Sequence, residues 1–157
     1  MLFRSDGVPY EITTPDFSVA LIELEQGPLI RLTSNFYVHQ KAQPATLTLH
    51  GDDGSLRLSH WFPFDAEVAF APYGEEYEPV PLVRPAAAPG IQWQRGIEDM
   101  AQAIGEDRPH RVTGQHAAHV VEIMAAIAES IQTHQPVQLT STFTPPAPMP
   151  WAEAETV

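Results

Sequence analysis

The chain contains no cysteine and only one lysine, Lys41, among its 157 residues. The absence of cysteine excludes disulfide scaffolds, thiol nucleophiles and thiolate zinc sites. Lysine and arginine together number 8 against 20 aspartates and glutamates, so the formal net charge is −12. A chain this acidic lacks the basic patch that nucleic acid or an anionic membrane surface requires, and we expect neither as a partner.

Several longer signals are also missing. The apolar runs are too short to span a bilayer, and the first residues carry no apolar signal-peptide segment, so we expect a cytoplasmic location. No G-x-G-x-x-G motif follows a strand, no Walker lysine is present, and no G-x-S-x-G elbow occurs. The residues therefore predict no cofactor site and no nucleophile in this chain.

The length and the hydrophobic share of 43% are those of one ordinary folded domain. We expect a single domain over 1–157, with irregular tails at 1–13 and 145–157. The sixteen prolines lie mostly in two stretches, 63–109 and 136–150. Because proline breaks strand ladders and helix interiors, these stretches are expected to be rich in connections.

The first half of the chain alternates between apolar and polar residues, as strands do. The pattern predicts strands at 17–25, 29–39, 45–50 and 55–59, with weaker candidates at 66–71 and 77–82. Gly-Asp-Asp-Gly at 51–54 supplies the turn between two of them. A period of two with one apolar face indicates an antiparallel meander that is covered on one side only.

The second half changes to a helical period. The apolar stripe of a first helix consists of Trp93, Ile97, Met100, Ala101 and Ile104. Gly105 ends this helix, and Thr113 is placed to cap a longer one that runs to about Thr133. Residues 137–139 are predicted to form one last strand. Strands first and helices afterwards indicate the α+β class, with the helices packed on one face of the sheet.

Three histidines, His110, His116 and His119, are the clearest candidates for metal ligands. The H-E-x-x-H spacing is not met and no carboxylate stands at a ligand position between them, so the prediction is that no metal is bound. The competing interpretation is structural. In it, His116 forms a hydrogen bond at the helix start and His119 packs beside Val120.

A basic cluster of Arg108, His110 and Arg111 precedes the second helix. Such a cluster could hold a carboxylate or a phosphate. Solvated loop charges, or ion pairs with Glu106 and Asp107, are the favoured interpretation.

The polar side of the second predicted strand carries Arg31, Asn35, Tyr37 and His39. A plain solvent face rarely aligns tyrosine and asparagine with arginine. Such a face can line a pocket for a polar substrate or pack against a second copy of the chain in an isologous dimer. An exposed strand face of mixed polar residues is an equally good interpretation of the pattern alone.

Three segments resemble, in the same order, the C-terminal domain of Gfo/Idh/MocA-type oxidoreductases: TPDFSVALIELEQGPLIRLTSNFYV, LTLHGDDGSLRL and RPHRVTGQHAAHVVEIMAAIAESIQTHQPVQL. The resemblance extends from about Thr14 to Trp151. It implies an open-faced, mainly antiparallel sheet with helices on its other side. In such enzymes this domain shapes the substrate pocket and commonly carries the oligomer interface. A separate N-terminal Rossmann domain binds NAD or NADP and supplies the lysine of a Glu-Lys-Pro motif.

The chain also departs from the pattern of those enzymes. It contains no Rossmann fingerprint, no Glu-Lys-Pro and no Asp-x-x-x-His motif. No catalytic residue of the family therefore maps onto it, and because hydride transfer needs a bound nicotinamide, the chain is not expected to be catalytic alone.

The leading hypothesis is a substrate-pocket and oligomerisation domain of an NAD(P)-dependent oxidoreductase that acts on a sugar or polyol. Arg31, Asn35 and His39 are its candidate substrate-binding residues. The alternative is a stand-alone binding or dimerisation module derived from such a domain. An exposed apolar patch near Trp61, Phe62, Phe64 or Trp93 favours the first hypothesis, because a cofactor domain would cover that patch.

Overall fold

The computed structural model describes residues 2–3, 9–10, 15–39, 41–42, 46–60, 66–82 and 93–147. Contacts within the chain divide it into two compact units, Met1–Pro44 and Ala45–Val157. The expectation of a single domain over 1–157 stays a prediction. Of the expected C-terminal tail, residues 148–157 lie outside the described residues, and 145–147 have no regular secondary structure.

The first unit is built from two antiparallel strand pairs. β1 (Leu2–Phe3) pairs with β2 (Pro9–Tyr10) inside the segment expected to be an irregular tail. β3 (Phe17–Glu23) pairs with β4 (Leu29–Asn35). The turn between β3 and β4 contains Gly27 at φ 104°, a conformation that glycine adopts without steric cost.

β4 is shorter than the sequence predicts, because the chain turns directly after Asn35. The side-chain oxygen of Asn35 accepts a hydrogen bond from the backbone N–H of Tyr37 at 3.0 Å. Asparagine side chains compete in this way with the strand ladder for backbone donors. The prediction of a strand through His39 was therefore wrong, and Tyr37 and His39 lie beyond the strand.

The second unit begins with a four-stranded antiparallel sheet in the order β5-β6-β7-β8. Its strands are β5 (Leu47–Gly51), β6 (Gly54–Leu58), β7 (Val68–Pro72) and β8 (Glu78–Pro79). The predicted Gly-Asp-Asp-Gly turn joins β5 to β6, and both weaker strand candidates are confirmed in shortened form. Strands that are consecutive in the chain pair antiparallel with one another, as in a meander.

The register of this sheet puts the large apolar residues on one face. Two cross-strand rows form it: Leu47, Leu58 and Val68 in one, Leu49, Leu56 and Phe70 in the other. The face is only partly covered, since Leu49 is 55% exposed and Leu47 is 44% exposed. Among the described residues the buried apolar side chains are those of Ala71 and Ala103.

Both predicted helices are confirmed. α1 spans Gln94–Gly105, and α2 spans Gly114–Thr133. The side chain of Thr113 accepts a hydrogen bond from the backbone N–H of His116 and so caps α2, as predicted. At the other end, His134 adopts the left-handed conformation at φ 57° and closes the last turn.

The last predicted strand was wrong. Residues 137–139 belong to a segment without regular secondary structure, and no described strand pairs with it. The antiparallel sheets followed by two helices confirm the α+β class. In the part of the chain that the structure describes, no helix is long and apolar enough to cross a membrane.

Gly54 offers a direct test of the pairing between β6 and β7. It has φ 153°, and a Cβ there would lie 3.0 Å from Pro72 Cα and closer still to Ala71 O. Gly54→Ala should therefore lower the free energy of unfolding by about 1–3 kcal/mol, measured by urea denaturation. Gly51→Ala is the matched control, because its nearest neighbour would be Gly54 O at 3.9 Å. Equal losses for the two variants would contradict the predicted clash.

Candidate functional site

The polar residues of β4 share a face with apolar residues of β3. Arg31 lies directly opposite Leu21, and Asn35 lies opposite Phe17. Residues that face each other in an antiparallel pair project from the same side of the sheet. The apolar residues of this row are Phe17, Val19 and Leu21, which are 51%, 49% and 67% exposed. The face is therefore an exposed apolar row bordered by a guanidinium and an amide.

His39, the third predicted substrate-binding residue, does not lie on this strand face. Its Nδ1 accepts a hydrogen bond from the backbone N–H of Lys41 at 3.2 Å. An accepting Nδ1 requires that the neutral imidazole carries its proton on Nε2. His39 is exposed, so its Nε2–H is a donor at the surface just after β4. The structure thus places Arg31 and Asn35 on one face and His39 in the following turn.

The basic cluster before α2 is engaged within the chain. Arg108 contacts Asp99 at 3.0 Å and Glu106 at 2.6 Å. The other oxygen of Asp99 accepts the backbone N–H of Arg111 at 2.8 Å. This backbone hydrogen bond is the largest cause of the lowered pKa of Asp99, and Arg108 contributes further. The favoured interpretation, ion pairs within the loop, is confirmed for Glu106, while the role of Asp99 was missed.

A second carboxylate, Glu122 on α2, holds the segment after that helix. One of its oxygens accepts the backbone N–H and the hydroxyl of Thr140, at 2.8 and 2.9 Å. The other accepts the backbone N–H of Ser141 at 2.9 Å and also the Ser141 hydroxyl. The Ser141 hydroxyl is the largest cause that lowers the pKa of Glu122 to about 2. Nothing in the sequence near Glu122 marked it, because its partners lie far along the chain.

The two histidines of α2 lie next to this network. Nδ1 of His119 is 2.9 Å from Oγ of Ser141. Because the single hydroxyl proton of Ser141 goes to the ionised Glu122, Nδ1 of His119 is the donor in this contact. The ring of His116 stacks on Phe143 with centroids 4.2 Å apart. At the helix start it is the backbone N–H of His116 that donates to Thr113, and not Nδ1 of its ring.

The histidines do not form a metal site in the described part of the chain. No group of three or more histidine, aspartate or glutamate side chains there is placed to hold a metal ion. Nδ1 of His116 is buried without a hydrogen-bond partner, but it lies beside the stacked Phe143 ring.

The apolar stripe of α1 faces outward. Trp93 and Ile97 are each 74% exposed, Ile104 is 78% exposed and Met100 is 47% exposed. Ala103, on a different side of the helix, is 2% exposed, and its carbonyl accepts the N–H of Arg108. The loop after α1 therefore covers the side that carries Asp99 and Ala103, and the predicted stripe is left as an exposed apolar surface.

The hydrogen bonds to Glu122 predict that the free energy of unfolding depends on pH in the acid range. A carboxyl whose pKa falls from 4.5 to about 2 on folding adds stability that is fully present above pH 4.5 and is lost as the pH falls through 2. The free energy of unfolding should therefore fall less steeply below pH 4.5 in Glu122→Gln than in the unaltered chain. Urea denaturation at a series of pH values measures this. Glu129→Gln on the same helix is the control, and a Glu122→Gln profile parallel to that of the unaltered chain would contradict the assignment.

Comparison with known proteins identifies the family. The family model for the C-terminal alpha/beta domain of the oxidoreductase family Gfo/Idh/MocA matches residues 8–139, which is most of the chain. No curated protein and no solved structure matches significantly. The match contains the β3–β4 face, the four-stranded sheet and both helices. The chain therefore belongs to the Gfo/Idh/MocA oxidoreductase family, of which it represents the C-terminal alpha/beta domain.

Proposed function

We propose that this domain forms the substrate side and the oligomer interface of a cytoplasmic, NAD(P)-dependent oxidoreductase that acts on a sugar or related polyol. By itself the domain is not catalytic, because hydride transfer requires a nicotinamide cofactor and no cofactor-binding motif occurs in the chain. The observation that carries the proposal is the exposed β3–β4 face, where Arg31 and Asn35 border an apolar row.

The chemistry of this face suits a polyhydroxyl compound. Small-molecule sites are mostly apolar surfaces with a few polar groups that fix the orientation of the ligand. Phe17, Val19 and Leu21 offer the apolar surface to the C–H groups of a sugar. Arg31 offers several N–H donors to its hydroxyls, and His39 offers one from Nε2. The side-chain oxygen of Asn35 is engaged with Tyr37, so Asn35 also shapes the turn that positions His39.

The apolar face of the four-stranded sheet supports self-association. An exposed apolar row on a partly covered sheet is stabilised when it packs against an identical row on a second copy. Leu49 at 55% and Leu47 at 44% exposure are the side chains of this face that gain most from such packing. A homo-oligomer through the open sheet is therefore part of the proposal.

A cofactor domain is the proposed partner of α1. Domains of this family work together with a Rossmann domain, which binds NAD or NADP. The exposed stripe around Trp93 is a surface for such a domain to cover. The other residues expected to mark that surface, Trp61, Phe62 and Phe64, lie outside the described residues.

The alternative function is that of a stand-alone binding or dimerisation module, for which we expect a different surface on α1. A module that works alone would keep the surface polar or cover it by self-association. Ile97 and Ile104 remain 74% and 78% exposed in the part of the chain that the structure describes. This exposure supports the domain of a larger enzyme over a stand-alone module whose surface is polar.

Substitution of Arg31 tests the substrate side. In the oxidoreductase that carries this domain, Arg31→Ala should raise KM for the polyol about tenfold and leave kcat within a factor of about three. The reason is that a hydrogen bond from a charged donor contributes about 1.5–3 kcal/mol to binding when it is made equally in the ground and transition states. Steady-state kinetics with a panel of sugars and polyols measures both constants.

Arg57→Ala is the matched control for this test. Arg57 lies over the ring of Tyr77 at 4.3 Å, in the four-stranded sheet, and it is not assigned to the substrate. A KM that is unchanged in Arg31→Ala, or raised equally in both variants, would contradict the proposed role of the β3–β4 face.

A further inference from the structure

The segment that follows α2 runs back along that helix. The later a residue stands in this segment, the earlier in the chain is the residue of α2, or of the loop before it, that it contacts. Thr140 and Ser141 contact Glu122, Phe143 contacts His119 and His116, and the carbonyl of Ala147 accepts a hydrogen bond from Arg111. The segment therefore lies antiparallel to α2 over much of its length. Residues 137–147 are called the strap below.

The strap turns one side towards the helix. Val137, Leu139, Ser141 and Phe143 are half-buried, while Gln138, Thr140, Thr142 and Thr144 are exposed. This alternation is that of an extended chain with one covered side. On α2, the half-buried residues Ile123, Ala126 and Ile127 continue the face of His119 and Glu122 towards the end of the helix. The half-buried side of the strap is thus the side that carries the contacts of Ser141 and Phe143 with Glu122 and His119.

Glu122 interrupts the strand-like course of the strap. In a pleated strand, consecutive backbone N–H groups point to opposite sides. Here the N–H groups of Thr140 and Ser141 both donate to the carboxylate of Glu122. The backbone therefore departs from the regular pleat of a strand at Thr140 and Ser141. His119 supports this conformation through its contact with Ser141.

We propose that the strap is a conformational device, in which Glu122 is the latch that holds residues 137–147 over the Ile123 and Ile127 face of α2. Closure depends on this latch because none of the strap side chains within the described residues is fully buried. The hydrogen bonds to Glu122 are charge-assisted and are therefore among the stronger ones in the unit.

Opening of the strap changes which residues of α2 are exposed. Val121 and Met124, on another side of the helix, are already 58% and 59% exposed. With the strap released, Ile123 and Ile127 join them, and α2 becomes apolar around most of its circumference. The latch thus sets how much apolar surface α2 exposes.

Hydroxyl-radical footprinting of the full chain, with mass-spectrometric readout, tests the latch. In Glu122→Ala, the oxidation rates of Phe143, Ile123 and Ile127 should rise about threefold or more, because their cover is lost. Met124 is the internal control, since it is exposed with the strap closed, and its rate should stay the same. Glu129→Ala, on the same helix, should leave all of these rates unchanged.

A double variant distinguishes release of the strap from unfolding of α2 itself. Thr140→Val and Ser141→Ala together remove both hydroxyl donors to Glu122 and leave α2 unaltered. The double variant should raise the same oxidation rates, with the helical far-ultraviolet signal retained. Unchanged rates at Phe143 in both the Glu122 variant and the double variant would overturn the proposal. So would a rise that occurs only together with loss of helical signal, because Glu122 would then hold the helix rather than the strap.

Discussion

Strand register is the constraint on which both units depend. In the first unit it aligns Phe17, Val19 and Leu21 beside Arg31 and Asn35. In the four-stranded sheet it collects the leucines of β5 and β6 and Phe70 on one face. A shift of one residue in either hairpin would move every apolar side chain to the opposite face. The surfaces proposed for substrate and for a second copy exist only in the observed register.

Side-chain hydrogen bonds to the backbone fix the ends of several elements and the loops beside them in the described parts of the chain. Asn35 ends β4, Thr113 begins α2, and Asp99 and Glu122 each hold a loop against a helix. Buried apolar side chains in these parts are restricted to Ala71 and Ala103. Since burial of apolar area is the main source of folding free energy, the exposed rows on β3 and α1 are surfaces that contact with a partner would stabilise.

Much of the fold could be predicted from local signals in the sequence. The apolar stripes gave the bounds of α1 and α2, and the Gly-Asp-Asp-Gly turn gave the β5–β6 hairpin, because these features depend on neighbouring residues. The end of β4 and the loss of the last strand could not be predicted in this way. After β4, the side chain of Asn35 takes the backbone donor of Tyr37, and directly after residues 137–139 the side chain of Glu122 takes the backbone donors of Thr140 and Ser141.

The candidate site was predictable only in part. Arg31 and Asn35 could be placed on one face from the period of a single strand, and the structure keeps them together. The apolar row opposite them results from the pairing of β3 with β4. The alternation of residues along a single strand does not reveal which strand it pairs with, or in which register. The family resemblance was confirmed by the match over residues 8–139, because it rests on several segments in order. The assignment of Arg31, Asn35 and His39 to a substrate stays a prediction.

The central claim is that this domain works as part of a larger oxidoreductase whose cofactor domain covers the exposed stripe of α1. The most direct test is the mass of the endogenous polypeptide, measured with an antibody against this domain in cells that produce it. The account predicts a polypeptide larger than 17.3 kDa by a Rossmann domain of roughly 100 to 200 residues. An endogenous polypeptide of 17.3 kDa would contradict the account and would favour a module that works alone.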